Sequence, residues 1–146
     1  MRIAVMILAL SAAAVFAACG GGSDKPKSGE GAADAAKRQT RFLNDGQFGN
    51  QWDELHPGQQ ADVPRERYVN CARGLPHSAG TIDILETHDE AIDIAAVPER
   101  TSTTVVLRTG DGASTTAREV RVGDRWRWTL ASSAYEGFKA GGCPQP

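Results

Sequence analysis

Residues 115–130 read TTAREVRV-GD-RWRWTL, from Thr115 to Leu130. The alternation is strict. Trp126, Trp128 and Leu130 fall on one face of an extended chain, and Arg125, Arg127 and Thr129 fall on the other. Gly123-Asp124 is a two-residue turn of the kind that joins hairpin strands. Upstream, Thr103–Thr109 (TTVVLRT) is rich in β-branched residues and is followed by the tight turn Gly110-Asp111-Gly112. Thr81–Thr87 (TIDILET) and Ala91–Val97 (AIDIAAV) read as two further strands, with Ile82 and Ile84 on one face and Ile92 and Ile94 repeating the pattern. Strands joined by turns this short are antiparallel.

The first half has a different period. Ala32–Asn44 (AADAAKRQTRFLN) is made of good helix formers and stops at Asn44-Asp45-Gly46. Phe48, Trp52 and Leu55 stand at i, i+4 and i+7, on one helical face, and His56-Pro57-Gly58 is expected to end that helix. Pro64 opens a third helix running to about Leu75, with Tyr68 and Cys71 three apart on it. After Leu130, the segment ASSAYEGFKAGG shows little pattern. Helices first and a meander second predict an α+β fold, with N-terminal helices packed on a curved antiparallel sheet of about four to five strands.

The chain has 146 residues and a formal net charge of −2, one domain's worth with no massed basic patch for nucleic acid. At its start, Met1–Cys19 reads MRIAVMILALSAAAVFAAC. The apolar run from Ile3 to Phe16 is short of the ~20 residues a spanning helix needs, so it reads as the core of a secretory signal. Phe16-Ala17-Ala18-Cys19 resembles the lipobox of bacterial lipoproteins. That resemblance implies a signal peptide over 1–18 and a lipid on Cys19. It also implies a site on the outer face of the cytoplasmic membrane, with the lipid anchor as membrane partner. The competing reading is an ordinary signal cut after Ala12-Ala13-Ala14, which leaves Cys19 an incidental thiol. Residues 20–31 (GGGSDKPKSGEG) contain no apolar residue and predict a flexible tether, so that 19–31 is the linker and 32–146 the domain.

With Cys19 assigned to the lipid, Cys71 and Cys143 remain. An even pair in an exported chain points to a disulfide, against two unrelated buried thiols. No CxxC and no His-x₃₋₅-His spacing is present, so no metal site and no cofactor is expected. There is also no nucleophile elbow, no phosphate-binding Gly-rich loop and no dinucleotide fingerprint.

Three features together resemble the NTF2-like superfamily, and within it small lipoproteins of high-GC Gram-positive bacteria. They are the helical FLNDGQFGNQWDELHPGQQ, the helix with Tyr68-x-x-Cys71, and the Trp-rich strand with its Gly-Gly-Cys-Pro tail. The resemblance implies a sheet wrapped around an N-terminal helix to leave a conical cavity. It implies no single activity, since function is set by the site and not by the fold. Trp52, Leu55, Trp126 and Trp128 are the residues expected to fill or line the cone, with Trp126 or Trp128 facing Phe48, Trp52 or Leu55. Asp53, His56, Tyr68, Glu86 and His88 are the candidates for acid–base chemistry. Glu86 and His88 share strand parity with Ile82 and Ile84, which points them inward near a mouth. Asp53 and His56 can equally cap a helix end, and Tyr68 can pack beside a Cys71 disulfide. His77 is given no role. The interior is expected to be mainly apolar, with no acid–base pair deep inside and no catalytic residue assigned. The leading expectation is therefore a non-enzymatic binding or interaction domain, its partner an envelope protein or a small apolar ligand. The alternative is an isomerase, cyclase or dehydratase acting on a small apolar substrate.

Overall fold

Ala32, Ala35, Ala36, Gln39 and Phe42 recur at helical spacing, and they form the buried stripe of helix α1, Ala32–Asn44. Three of the five are alanines, so the helix axis lies close to what it covers, and α1 touches all four strands of the sheet. The computed structural model describes residues 29–144. The signal segment, Cys19 and most of the predicted tether lie outside the described residues.

The fold is α+β, with N-terminal helices packed against a four-stranded antiparallel sheet. Helix α2 (Phe48–Asp53) ends before Leu55. Leu55 is instead fully buried and forms a parallel bridge with Trp128. His56-Pro57-Gly58, expected to end that helix, instead starts another, α3 (Pro57–Gln60). Proline suits the first helical turn, and the His56 Nδ1 accepts the orphan Gly58 N–H at 3.1 Å. Helix α4 (Arg65–Ala72) stops three residues short of the expected Leu75.

The strands are β1 (Ile82–Ala91), β2 (Thr101–Thr109), β3 (Ser114–Val122) and β4 (Arg125–Trp128), paired in that order. The strand expected over Ala91–Val97 does not form. β1 runs on to Ala91, Ile92 N–H reaches Arg100 O at 3.0 Å, and a turn closed by Val97 N–H on Ile94 O follows. Ala96 sits in the left-handed region at φ 62°, a conformation no strand contains. The segment after Leu130, expected to be patternless, forms helix α5 (Ser132–Lys139), which buries Tyr135 and Phe138 three residues apart. Its eight residues are too short for a strong periodic signal.

Two apolar clusters result. One gathers Phe48, Leu55, Val63, Tyr68, Leu130 and Phe138, with Trp52 and Trp128 packed on it. The other joins Ala32 and Ala36 of α1 to Ile82, Val105 and Leu107 of the sheet, with Trp126 against it. The expected packing of Trp128 on the Phe48–Leu55 side of the molecule is present. A Cys71–Cys143 disulfide, Cα–Cα 5.3 Å, ties α4 to the chain after α5. Both clusters, the whole sheet and the disulfide fall within residues 29–144.

Candidate functional site: paired chambers beside the first helix

β4 leaves the ladder after Trp128, its last partner being Glu119. Thr129 still donates its N–H to Arg118 O at 3.0 Å, but Leu130 turns away and gives its N–H to the Gln59 side chain at 2.8 Å. The gap left between Thr115–Ala117 of β3 and Thr129–Ala131 is bordered by Ala36, Gln39 and Thr40 of α1, and forms a partly open chamber of about 220 Å³. Next to it lies a second chamber of about 270 Å³, walled by Tyr68, Leu75, Ala134, Phe138 and Pro144 among others. The two share Leu43, Gln51, Trp128 and Leu130 as walls. Among the described residues, neither wall carries a carboxylate, imidazole, ammonium or guanidinium.

Trp128 stands between the chambers because strand parity turns it inward and its indole N–H is fixed to Gln51 O at 2.8 Å. The Gln51 side chain is held in turn by Tyr68, whose hydroxyl donates to Gln51 Oε1 at 2.5 Å. Burial raises the Tyr68 pKa, so the phenol stays protonated and remains a donor. The Tyr68 and Trp128 rings lie 5.8 Å apart, within the range of favourable aromatic contact. Pro144 reaches the apolar chamber because the neighbouring Cys143 is bonded to Cys71, itself a wall residue.

Beside the apolar clusters, α1 also buries a polar group that the expectation of a mainly apolar interior did not include. Arg38, buried, pairs through Nη1 with Glu30 and through Nη2 with Glu54 Oε2 at 2.9 Å. Gln39 donates from Nε2 to Glu119 Oε2 at 3.3 Å, and Glu119 is wholly buried. Loss of hydration pushes the Glu119 carboxyl from its ordinary 4.5 up to about 8. The Gln39 amide and Arg38 pull it down, while Glu54 and Glu30 add to the rise. Gln39 Oε1, Glu119 Oε1 and Arg38 Nε find no hydrogen-bond partner among the described residues.

The residues singled out from the sequence are scattered. Glu86 and His88 point away from the interior. β1 carries a bulge between Ile84 and Glu86, so Ile84 faces Leu107 but Glu86 faces Val106 and His88 faces Thr104. One extra residue reverses the parity of everything after it. The two side chains pair with each other in solvent at 3.0 Å. Asp53 is exposed and accepts from Arg65 at 3.2 Å. His56 is buried, capping α3 through Nδ1 and meeting Glu99 Oε2 through Nε2 at 3.0 Å. It caps the start of α3, buried and apart from Asp53, rather than capping a helix end together with it. Trp52 donates to Val63 O at 2.9 Å and Trp126 to Glu30 O at 2.9 Å. Trp52, Leu55 and Trp126 line neither chamber, whereas Tyr68 and Trp128 do.

Gln39, Gln51 and Glu119 were missed. A two-residue turn at Gly123-Asp124 sets Val122 opposite Arg125, and counting back sets Glu119 opposite Trp128, on the inward face. Gln39 lies on the same α1 stripe as Ala35 and Ala36. Both signals were present in the sequence, but a charged or amide residue reads as solvent-facing by default. Comparison of this chain with protein-family models, curated proteins and solved structures finds no match.

Proposed function

We propose that this chain is an extracytoplasmic lipoprotein, anchored through Cys19, whose NTF2-like domain binds a small, predominantly apolar ligand in the paired chambers. The observation that carries the binding reading is the uncharged wall around Trp128, apolar on the Tyr68–Phe138 side and backed by the disulfide-held tail. Ligand sites combine an apolar body with a few placed polar groups, and two adjoining chambers of this size together reach the ordinary range of roughly 300–1,000 Å³. The anchoring reading rests on the apolar run, the small residues before Cys19 and the polar segment after it.

The binding reading is tested with the neutral fluorophore N-phenyl-1-naphthylamine. Fluorescence should rise on addition of the protein. It should fall back in Ala134→Trp, which places an indole in the apolar chamber and leaves the sheet untouched. Equal fluorescence in both proteins would remove the chamber from consideration. The anchoring reading predicts that wild-type protein fractionates with membranes and that Cys19→Ala does not carry lipid. A Cys19→Ala protein processed and membrane-bound like wild type would overturn it.

A further inference from the structure

β1 and β4 are the two edges of the sheet, and they differ. Along β4, Leu55 bridges Trp128, His56 donates its N–H to Trp128 O at 2.9 Å, and Arg127 reaches Asp53 O at 2.7 Å. The segment after α2 therefore covers that edge. β1 has no such cover among the described residues. The register shows which of its backbone groups are free. Ile92 donates to Arg100 O at 3.0 Å, and hydrogen-bonded pairs alternate along an antiparallel ladder. The pairing is regular from Ala91↔Thr101 back to Glu86↔Val106. Glu90, His88 and Glu86 therefore bond toward β2, while Thr87, Asp89 and Ala91 turn their N–H and C=O to the open edge. Among the described residues, none outside the sheet takes these groups up.

The side chains along this edge are sorted by face. Asp83, Glu86, His88 and Glu90 stand opposite Arg108, Val106, Thr104 and Ser102, on one face of the sheet. Ile84, Thr87, Asp89 and Ala91 stand on the other. Arg118 meets Glu90 and Arg108 stands opposite Asp83, which leaves Glu86 without a Lys or Arg partner among the described residues. β1 itself contains four carboxylates and no Lys or Arg. Ile84 and Leu85, 36% and 47% exposed, are the exposed large hydrophobic residues of the described chain, and both lie at the β1 bulge. We propose that β1 takes up an extended protein segment as a fifth strand, one that alternates Lys or Arg with β-branched apolar residues. Main-chain hydrogen bonds to Thr87, Asp89 and Ala91 attach the segment, and its side chains select it. The cations lie on the Glu86–Glu90 face, and the apolar residues lie on the face of Ile84, Thr87 and Ala91. A second copy of β1 is a poor occupant, because it brings the same row of carboxylates to the edge with no Lys or Arg on either strand.

The test uses residues 20–146, which contain every described element, in about 20 mM salt, where exposed charges are weakly screened. Three peptides are titrated: acetyl-TKVRVKVT-amide, its acidic counterpart acetyl-TEVEVEVT-amide, and acetyl-TKPRPKVT-amide, which keeps the cations and removes two backbone donors. The basic peptide should shift the backbone amide resonances of Thr87, Asp89 and Ala91 and slow their hydrogen exchange. It should bind about tenfold more tightly than the acidic peptide, and about tenfold more tightly than the proline peptide. Glu86→Lys should erase the preference for the basic over the acidic peptide. Should that variant fail to fold, the three peptides on wild type decide the question alone. Equal binding of the basic and proline peptides would show attraction to charge without strand addition, and would overturn the proposal. Equal binding of the basic and acidic peptides would overturn the choice of occupant. Absence of binding, or dimerisation of the protein alone with slowed exchange at Thr87, Asp89 and Ala91, would overturn it too.

Discussion

The side chain of Gln59 and the backbone of Leu130 hold each other from both ends. Gln59 Oε1 accepts the Leu130 N–H at 2.8 Å, and Gln59 Nε2 donates to Leu130 O at 3.0 Å. The same amide nitrogen also reaches Ala95 O at 3.2 Å. Gln59 is fully buried, so these bonds form away from water, where hydrogen bonds are strong and orphan groups are expensive. The amide thus stands in for the next rung of a ladder that β4 does not continue. It steers Leu130 out of the sheet, into the apolar cluster and toward α5. Gln59→Leu leaves three backbone groups unpaired. We expect a loss of about 3–5 kcal/mol in urea unfolding. A loss below about 1 kcal/mol would mean that water replaces the amide at no penalty.

The disulfide does for the end of the chain what Gln59 does for its turn. Cys71 and Cys143 are 72 residues apart, and closing a loop of that length removes about 4 kcal/mol of denatured-state entropy. The paired substitution Cys71→Ser/Cys143→Ser should lower stability by about that much, a large share of the ~5–15 kcal/mol typical of a domain. α5 should respond most. In hydrogen exchange, its amides should lose protection ahead of those in α1, because α5 is held at its far end by the bridge and buries two side chains, Tyr135 and Phe138, where α1 buries six. Uniform loss of protection across both helices would place α5 in the same cooperative unit as α1.

Glu86 and His88 are a contrasting case. They were legible as candidates, and the bulge at Leu85 moved them into solvent, where both side chains are about half exposed. Exposed pairs of this kind contribute little. Glu86→Gln/His88→Ala should change unfolding stability by less than about 0.5 kcal/mol and leave binding of the neutral fluorophore unaltered. A clear loss of either would assign the outer face of β1 a role that its geometry does not supply.

How far the sequence could be read follows from the kind of signal each element carries. α1 was legible to the residue because good helix formers run unbroken from Ala32 to the stop at Asn44-Asp45-Gly46. β2, β3 and β4 were legible because β-branched or aromatic residues alternate between turn signals. The bulge in β1 was not, since nothing in ILET marks which residue is skipped, and the error carried through every later side chain. The disulfide was inferred from parity of cysteines, not from contacts. The chambers were illegible for a different reason. They exist because β4 stops two residues early, and what stops it is Gln59, an amide 71 residues away in sequence. Local pattern contains no trace of that pairing.

Glu119 supplies a pH dependence whose sign can be worked out in advance. Its folded carboxyl is raised to about 8 from an ordinary 4.5, chiefly by burial. Below 4.5 the folded and unfolded chains both hold the proton, and this group contributes nothing to the pH slope. Between 4.5 and about 8 the unfolded chain has released it and the folded chain has not. The folded state then binds more protons, so stability falls as pH rises through that window. Above about 8 both states are ionised and the penalty is constant. Glu119→Gln cannot ionise and still offers an oxygen to the Gln39 amide. At pH 4.5 the variant and wild type should be within about 1 kcal/mol of each other. At pH 8.5 the variant should be more stable, by a margin of the order of 3 kcal/mol. Taking the difference between the two proteins cancels the titration of every other carboxylate. Urea unfolding at the two pH values measures it directly, and a difference that does not grow with pH would show that Glu119 ionises in the fold as readily as in water.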